Sequence, residues 1–175
     1  MITHEQPGPL RIEPDDLSRP EVQQLIADHL SDMHATSPAE SVHALDHAGL
    51  RAPGVSFWTV WAAAELLGCG ALKQLSPSAG EIKAMRTRPQ ARGRGVAAHL
   101  LAFLLDECRR RGYRTVSLET GSQEFFAPAR RLYARHGFVT CPPFADYSPD
   151  PNSVYLTLPL SPDGGTPGPP RIDCQ

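Results

Sequence analysis

Between residues 81 and 111 the sequence reads as a strand, a glycine-spaced loop and a helix, and this unit limits what the whole chain can become. The strand runs from Glu81 to Thr87, the loop is Gln90-Ala91-Arg92-Gly93-Arg94-Gly95-Val96-Ala97, and the helix continues to Arg111 before Gly112. Two glycines at alternate positions let the backbone come close to a ligand with successive N–H groups exposed. The helix that starts there turns its partial positive end the same way. Such a junction is a phosphate cradle, to which Arg92 and Arg94 add full charges. A solvated Gly-Arg-Gly turn is the plain alternative. Context argues against it: Val96, Leu100, Leu101, Leu104, Leu105 and Cys108 form a broad apolar face at helical spacing, while His99, Asp106, Arg109 and Arg110 fall opposite.

With 175 residues the chain is long enough for one domain with a substantial core. Its net charge is -2 and its basic residues form no long run, which argues against a nucleic-acid surface. The basic cluster Arg109 to Arg111 sits where the last turn of a helix favours cations. Cys69, Cys108, Cys141 and Cys174 are scattered without metal-type spacing, and Cys69 and Cys108 occupy apolar positions, as buried thiols in a reducing compartment would. No apolar run approaches membrane length, and the first residues lack the basic-then-apolar order of a signal peptide. A soluble cytoplasmic protein without membrane, nucleic-acid or metal partners is expected.

Taken in order, residues 1–8 read as flexible, and Leu10 to Glu13 as a first strand. Pro20 and Glu21 open a helix with Val22, Leu25, Ile26, Leu30 and Met33 on one stripe. A second, shorter helix is predicted from Ser37-Pro38 through Val42 and Leu45 to Gly49. His43 and His47 would then share a face; a metal there lacks further ligands, and substrate contact by His34 or His43 is the better use. Ser56 to Trp61 and Leu66 to Leu75 read as an antiparallel pair, with Trp58 and Trp61 on opposite faces and packed as core. Thr115 to Glu119 is a strand parallel to Glu81–Thr87, if the helix between them is a right-handed crossover. A helix from Ala127 to His136 follows, then a strand pair over residues 138–147 and 153–160, and a Pro- and Gly-rich tail over 161–175 that reads as disordered.

The order strand, R-G-x-G-V-A, helix, strand, then Ala129-Arg130-Arg131-Leu132-Tyr133-Ala134-Arg135-His136-Gly137-Phe138 resembles the GCN5-related N-acetyltransferases, the GNAT superfamily. The likeness spans roughly residues 10–160, within a domain taken as 9–160, and is carried by Q-x-x-G-x-G at Gln90 to Gly95 together with A-x-x-L-Y-x-x-x-G-F at Ala129 to Phe138. The Glu81–Thr87 and Leu118-Glu119-Thr120-Gly121 segments look like those of small bacterial members. The resemblance implies an α/β (α+β) fold: a mixed, strongly twisted sheet of about six or seven strands with helices on both faces, whose central parallel strands splay apart.

The resemblance further implies that acetyl-coenzyme A enters that gap as cosubstrate, with no metal. Its pyrophosphate would meet the amides of Arg92, Gly93, Arg94, Gly95, Val96 and Ala97, and its pantetheine arm the backbone of Met85 and Thr87. Glu81 matches the base of the histone-acetylating branch, with Glu119 as the alternative. The Met85 N–H would serve the oxyanion, and Tyr133 would protonate the departing thiolate. Many relatives carry Asn seven residues before the tyrosine to hold the pantetheine; Phe126 stands there in this chain. A small-molecule amine or amino acid is the expected acceptor, with a homodimer left open. The entrance would draw on Asp32, His34, His43, Phe144 and Tyr147, none of which sets a decisive charge. Two other classes compete. Gly93-x-Gly95-x-x-Ala98 satisfies a dinucleotide fingerprint, although Arg88 to Arg92 separates it from its strand, and the same pocket without catalysis would make an acyl-coenzyme A sensor.

Overall fold

A computed structural model of the chain describes residues 8–161, so the expectations for residues 1–7 and 162–175 lie outside it. Seven strands form one sheet: β1 (Leu10–Pro14), β2 (Val55–Ala62), β3 (Glu65–Ser76), β4 (Ala79–Thr87), β5 (Thr115–Gly121), β6 (Val139–Thr140) and β7 (Ser153–Pro159). Their spatial order is β1-β2-β3-β4-β5-β7-β6, and every neighbouring pair is antiparallel except β4–β5. That single parallel step brackets the helix α3 (Val96–Arg110), as the crossover rule requires. Hairpins on both sides of it exclude the repeated βαβ units of a doubly wound dinucleotide fold.

Each face of the sheet carries its own core. One gathers Trp58, Leu72, Ile82 and Leu118 with Leu100, Leu101 and Leu104 of α3 and Leu132 of α4 (Ala127–Arg135). The other gathers Phe57, Trp61, Leu66 and Cys69 with Val22, Leu25 and Ile26 of α1 (Pro20–Thr36). The two tryptophans therefore do lie on opposite faces, each within a core. Cys69 and Cys108 are fully buried free thiols, and burial pushes both up to about 12. Glu107 bonds Arg110 and Arg111, and Arg109 bonds Asp106, so the basic cluster is spent on the end of its own helix.

Two predicted elements are cut short. The second helix breaks into a 3-10 turn at Ala39–Ser41, an extended Val42, and the short helix α2 (His47–Leu50). Asp46 caps a fresh start by accepting from the Gly49 amide at 2.8 Å, so residues 38–46 never form one rod and His43 and His47 share no helical face. The strand predicted over 138–147 shrinks to β6, because Pro142 and Pro143 have no N–H to give a ladder.

Two irregularities shape the centre of the sheet. β4 and β5 are bonded only over Ala79–Glu81 against Thr115–Ser117, and beyond that point they part. Between Cys69 and Ala71 of β3, β4 spends an extra residue, with Ala84 at φ 53°. Lys83 and Ala84 thus turn successive side chains the same way: Ala84 packs with the α1 core and Met85 with the α3 core. Gly68 lets β3 lie against this strand, since a Cβ there would stand 2.5 Å from the Arg86 carbonyl oxygen. Gly68→Ala should therefore lower the unfolding free energy by about 2–3 kcal/mol, because backbone must move to relieve the clash. Urea titration checks this, and a loss under about 0.5 kcal/mol would show that β3 and β4 are not so closely apposed.

Candidate active site

A cavity of about 540 Å³ opens where β4 and β5 diverge. One wall is Lys83 to Thr87 of β4, the facing wall Glu119 to Gly121 of β5, and one end the loop into α3 with Arg92, Gly93, Gly95, Val96 and Ala97. Leu132 and Tyr133 of α4, His29 and Met33 of α1, and the link Ser41 to Ala44 complete it. Gly93 and Gly95 have φ of 76° and 75°, and a Cβ at either would meet nothing within 4 Å. The glycines are needed for backbone conformation, and they leave an open approach to main-chain donors at the start of a helix of fifteen residues. Past Glu81, β4 has no ladder partner on its β5 side, so backbone groups there are free to bond something laid between the strands. The arrangement suits a long ligand with an anionic end at the loop and an amide-bearing arm along β4.

Most residues singled out from the sequence line this cavity: Met85, Thr87, Arg92, Gly93, Gly95, Val96, Ala97, Glu119 and Tyr133. Arg94 does not; its guanidinium lies 3.5 Å from Glu65. Glu81 does not either. Its side chain is 3% exposed, pairs with Lys83 Nζ at 3.1 Å and accepts from the Tyr147 hydroxyl at 3.2 Å, and it lines a neighbouring hollow of about 530 Å³. Glu119 is half-buried, and burial raises its carboxyl above the usual carboxylate range, while the Ser153 hydroxyl, His43 and Lys83 pull the other way. Burial likewise keeps the Tyr133 hydroxyl protonated far above neutral pH, with its ring 5.7 Å from that of Phe138. Phe126, in place of the usual amide side chain, packs on Gly121, where a Cβ would sit 2.1 Å from its ring. His43 reaches the cavity, whereas His34 is exposed outside it.

The sequence reading passed over Arg86 and His29. Strict alternation would put Arg86 beside Ile82 under α3; the bulge at Ala84 reverses it, and Arg86 Nη1 bonds Asp32 of α1 at 2.7 Å. No feature of the sequence marks a one-residue bulge, so the shift of face could not be read from it. His29 is buried by periodicity on the α1 stripe and lines the cavity beside this pair.

A fold of this kind, with a helix start poised at the mouth of a split sheet, defines a class of acyl-transfer enzymes. The model of the Acetyltransferase (GNAT) family matches residues 21–138, and the chain belongs to that family. The uncharacterized N-acetyltransferase YsnE of Bacillus subtilis is 48% identical over 151 residues, which cover 86% of this chain and all of that one. A Klebsiella pneumoniae structure provisionally assigned as an acyl-CoA N-acyltransferase superposes with a TM-score of 0.70 at 31% identity, covering 87% of this chain and 98% of that one. A Bacillus subtilis acetyltransferase solved in complex with CoA has the same fold, with a TM-score of 0.62 at 20% identity over 87% of this chain and 100% of that one. This chain is an acyltransferase.

Burial first, and the Arg86 charge second, lower His29 from 6.5 to about 4. The unfolded chain then takes up a proton at His29 below pH 6.5 that the folded chain refuses until about pH 4, so stability falls with pH across that window and levels off below it. Between pH 7 and pH 4 the native protein should lose about 3 kcal/mol more than His29→Leu does. Denaturant midpoints at both pH values measure this; equal losses would mean that His29 is solvated and protonates freely.

Proposed function

We propose that the protein transfers an acetyl group from acetyl-coenzyme A to the primary amine of a small molecule or amino acid, by direct attack with both substrates bound. The observation that carries this reading is the meeting, at one gap in the sheet, of a helix start with open main-chain donors, strand backbone unpaired on one side, a half-buried carboxylate and a buried tyrosine. Acetyl-coenzyme A supplies the activated acetyl group. Its diphosphate would be held by the amides of the Arg92 to Ala97 loop with the Arg92 side chain, and its arm by the backbone at Met85 and Thr87.

Glu119 is the preferred base. An ammonium acceptor must lose a proton before its nitrogen can attack, and a carboxylate whose affinity for protons is raised by burial is better matched to that task than one neutralised by a lysine, as Glu81 is by Lys83. The Met85 N–H, beside the bulge at Ala84, is the donor suited to the negative charge that develops on the acetyl oxygen. As the new C–N bond forms and the C–S bond breaks, the Tyr133 hydroxyl gives a proton to the departing sulfur and is reprotonated by the second proton shed from nitrogen.

Removing either group gives a distinct result. Tyr133→Phe should lower kcat about 10²-fold with little change in coenzyme A affinity. Glu119→Gln should remove the acid limb of the pH–rate profile, a limb that lies above the ordinary carboxylate range in the native enzyme; the same limb should persist in Glu81→Gln. Steady-state kinetics on an accepted amine checks both. Full turnover by Tyr133→Phe would overturn the acid assignment, and a limb unchanged in Glu119→Gln would overturn the base. A protein that bound coenzyme A without acetylating any amine would be the sensor instead.

A further inference from the structure

The notch where α1 leans on β4 holds a charge that the transfer chemistry leaves unused. The Arg86 side chain is only 9% exposed, yet Arg86 lines the main cavity. Among the described residues its guanidinium has a single hydrogen bond, from Nη1 to the half-exposed carboxylate of Asp32. The Nε atom is buried with no partner at all. A guanidinium brings five N–H donors, and leaving the Nε–H unmet away from water is costly unless a ligand or a small shift takes it up. The neighbours offer nothing further: His29 is neutral at working pH, and Lys83 is a second cation already tied to Glu81 and Tyr147. A guanidinium with donors to spare is the group that grips a carboxylate through two parallel bonds.

The bulge also decides on which face that guanidinium lies. Met85 packs with α3 and Arg86 reaches α1; on the facing strand Leu118 belongs to the α3 core, so Glu119 projects to the same side as Arg86. Grip and base therefore share one face of the gap, opposite the helix that begins at the glycine loop.

We propose that the acceptor carries a carboxylate as well as its amine, and that the Arg86 guanidinium holds the carboxylate while Glu119 meets the amine. The acceptor class is then amino acids and close amino-carboxylate relatives. This rests on the N-acetyltransferase reading and narrows its substrate.

Matched acceptors test it: free amino acids against the corresponding amino-acid amides and decarboxylated amines, followed by thiol release from acetyl-coenzyme A. The native enzyme should favour the carboxylate form by about 10²-fold in kcat/KM, mostly through KM. In Arg86→Gln that preference should collapse to near unity, with part of it retained in Arg86→Lys, whose single charge cannot form the paired bonds. A thermal shift on adding coenzyme A shows that each variant is folded and still takes the cosubstrate. Equal use of acids and amides by the native enzyme, or an undiminished preference in Arg86→Gln, would overturn the proposal. So would loss of coenzyme A binding in a folded Arg86→Gln, which would assign the arginine to the thioester half of the cavity. Acetylation of neutral amines alone would overturn only this inference, whereas acetylation of no amine would overturn the transferase reading and this one with it.

Discussion

Everything functional in this protein depends on two parallel strands that begin as neighbours and then separate. β4 and β5 share ladder bonds for only three residues each, and the cavity occupies the wedge beyond. A sheet normally hides its backbone donors and acceptors from solvent by pairing them. Here the pairing on the β5 side stops at the centre, and the backbone of residues 82–87 that faces β5 is left open to a ligand. The cost of an open centre is met by the two apolar layers that clamp the sheet, α3 and α4 on one face and α1 on the other.

The bulge in β4 turns that opening into a site with two sides. With Ala84 in a positive-φ conformation, its carbonyl accepts from the buried Cys69 thiol at 3.3 Å, and the strand changes parity. Met85 and Arg86 consequently serve different layers of the molecule. Two carboxylates near the gap also diverge: Glu81 is satisfied by Lys83 and Tyr147, while Glu119 faces the cavity with its proton affinity raised by burial. Environment separates the two, although both are glutamates on neighbouring strands.

Much of this was legible in the sequence because it rests on period and on backbone chemistry. The α3 stripe, the glycine loop and the A-x-x-L-Y-x-x-x-G-F helix each stand where spacing puts them, and the two tryptophans separate onto two faces. What was not legible depended on irregular backbone. Val42 to Asp46 had enough apolar residues for a helix, but the Asp46 cap starts a separate turn, and Pro142-Pro143 cut short a strand whose composition still looked suitable. Arg86 was hidden for the same reason, since a single inserted residue moves it from one face of the sheet to the other. Arg94 was drawn to the loop by its sequence position, yet its nearest partner is Glu65 at the turn between β2 and β3.

Hydrogen exchange at individual amides, with and without coenzyme A, tests most directly whether the wedge between β4 and β5 is built for a nucleotide-linked thioester. Saturable protection should appear at Gly93 to Ala97 and at Met85 to Thr87, and the ladder amides of β1 and β2 should be unaffected by comparison. Coenzyme A that leaves exchange at both the loop and the unpaired stretch of β4 unaltered would contradict the assignment of this gap as the cosubstrate site.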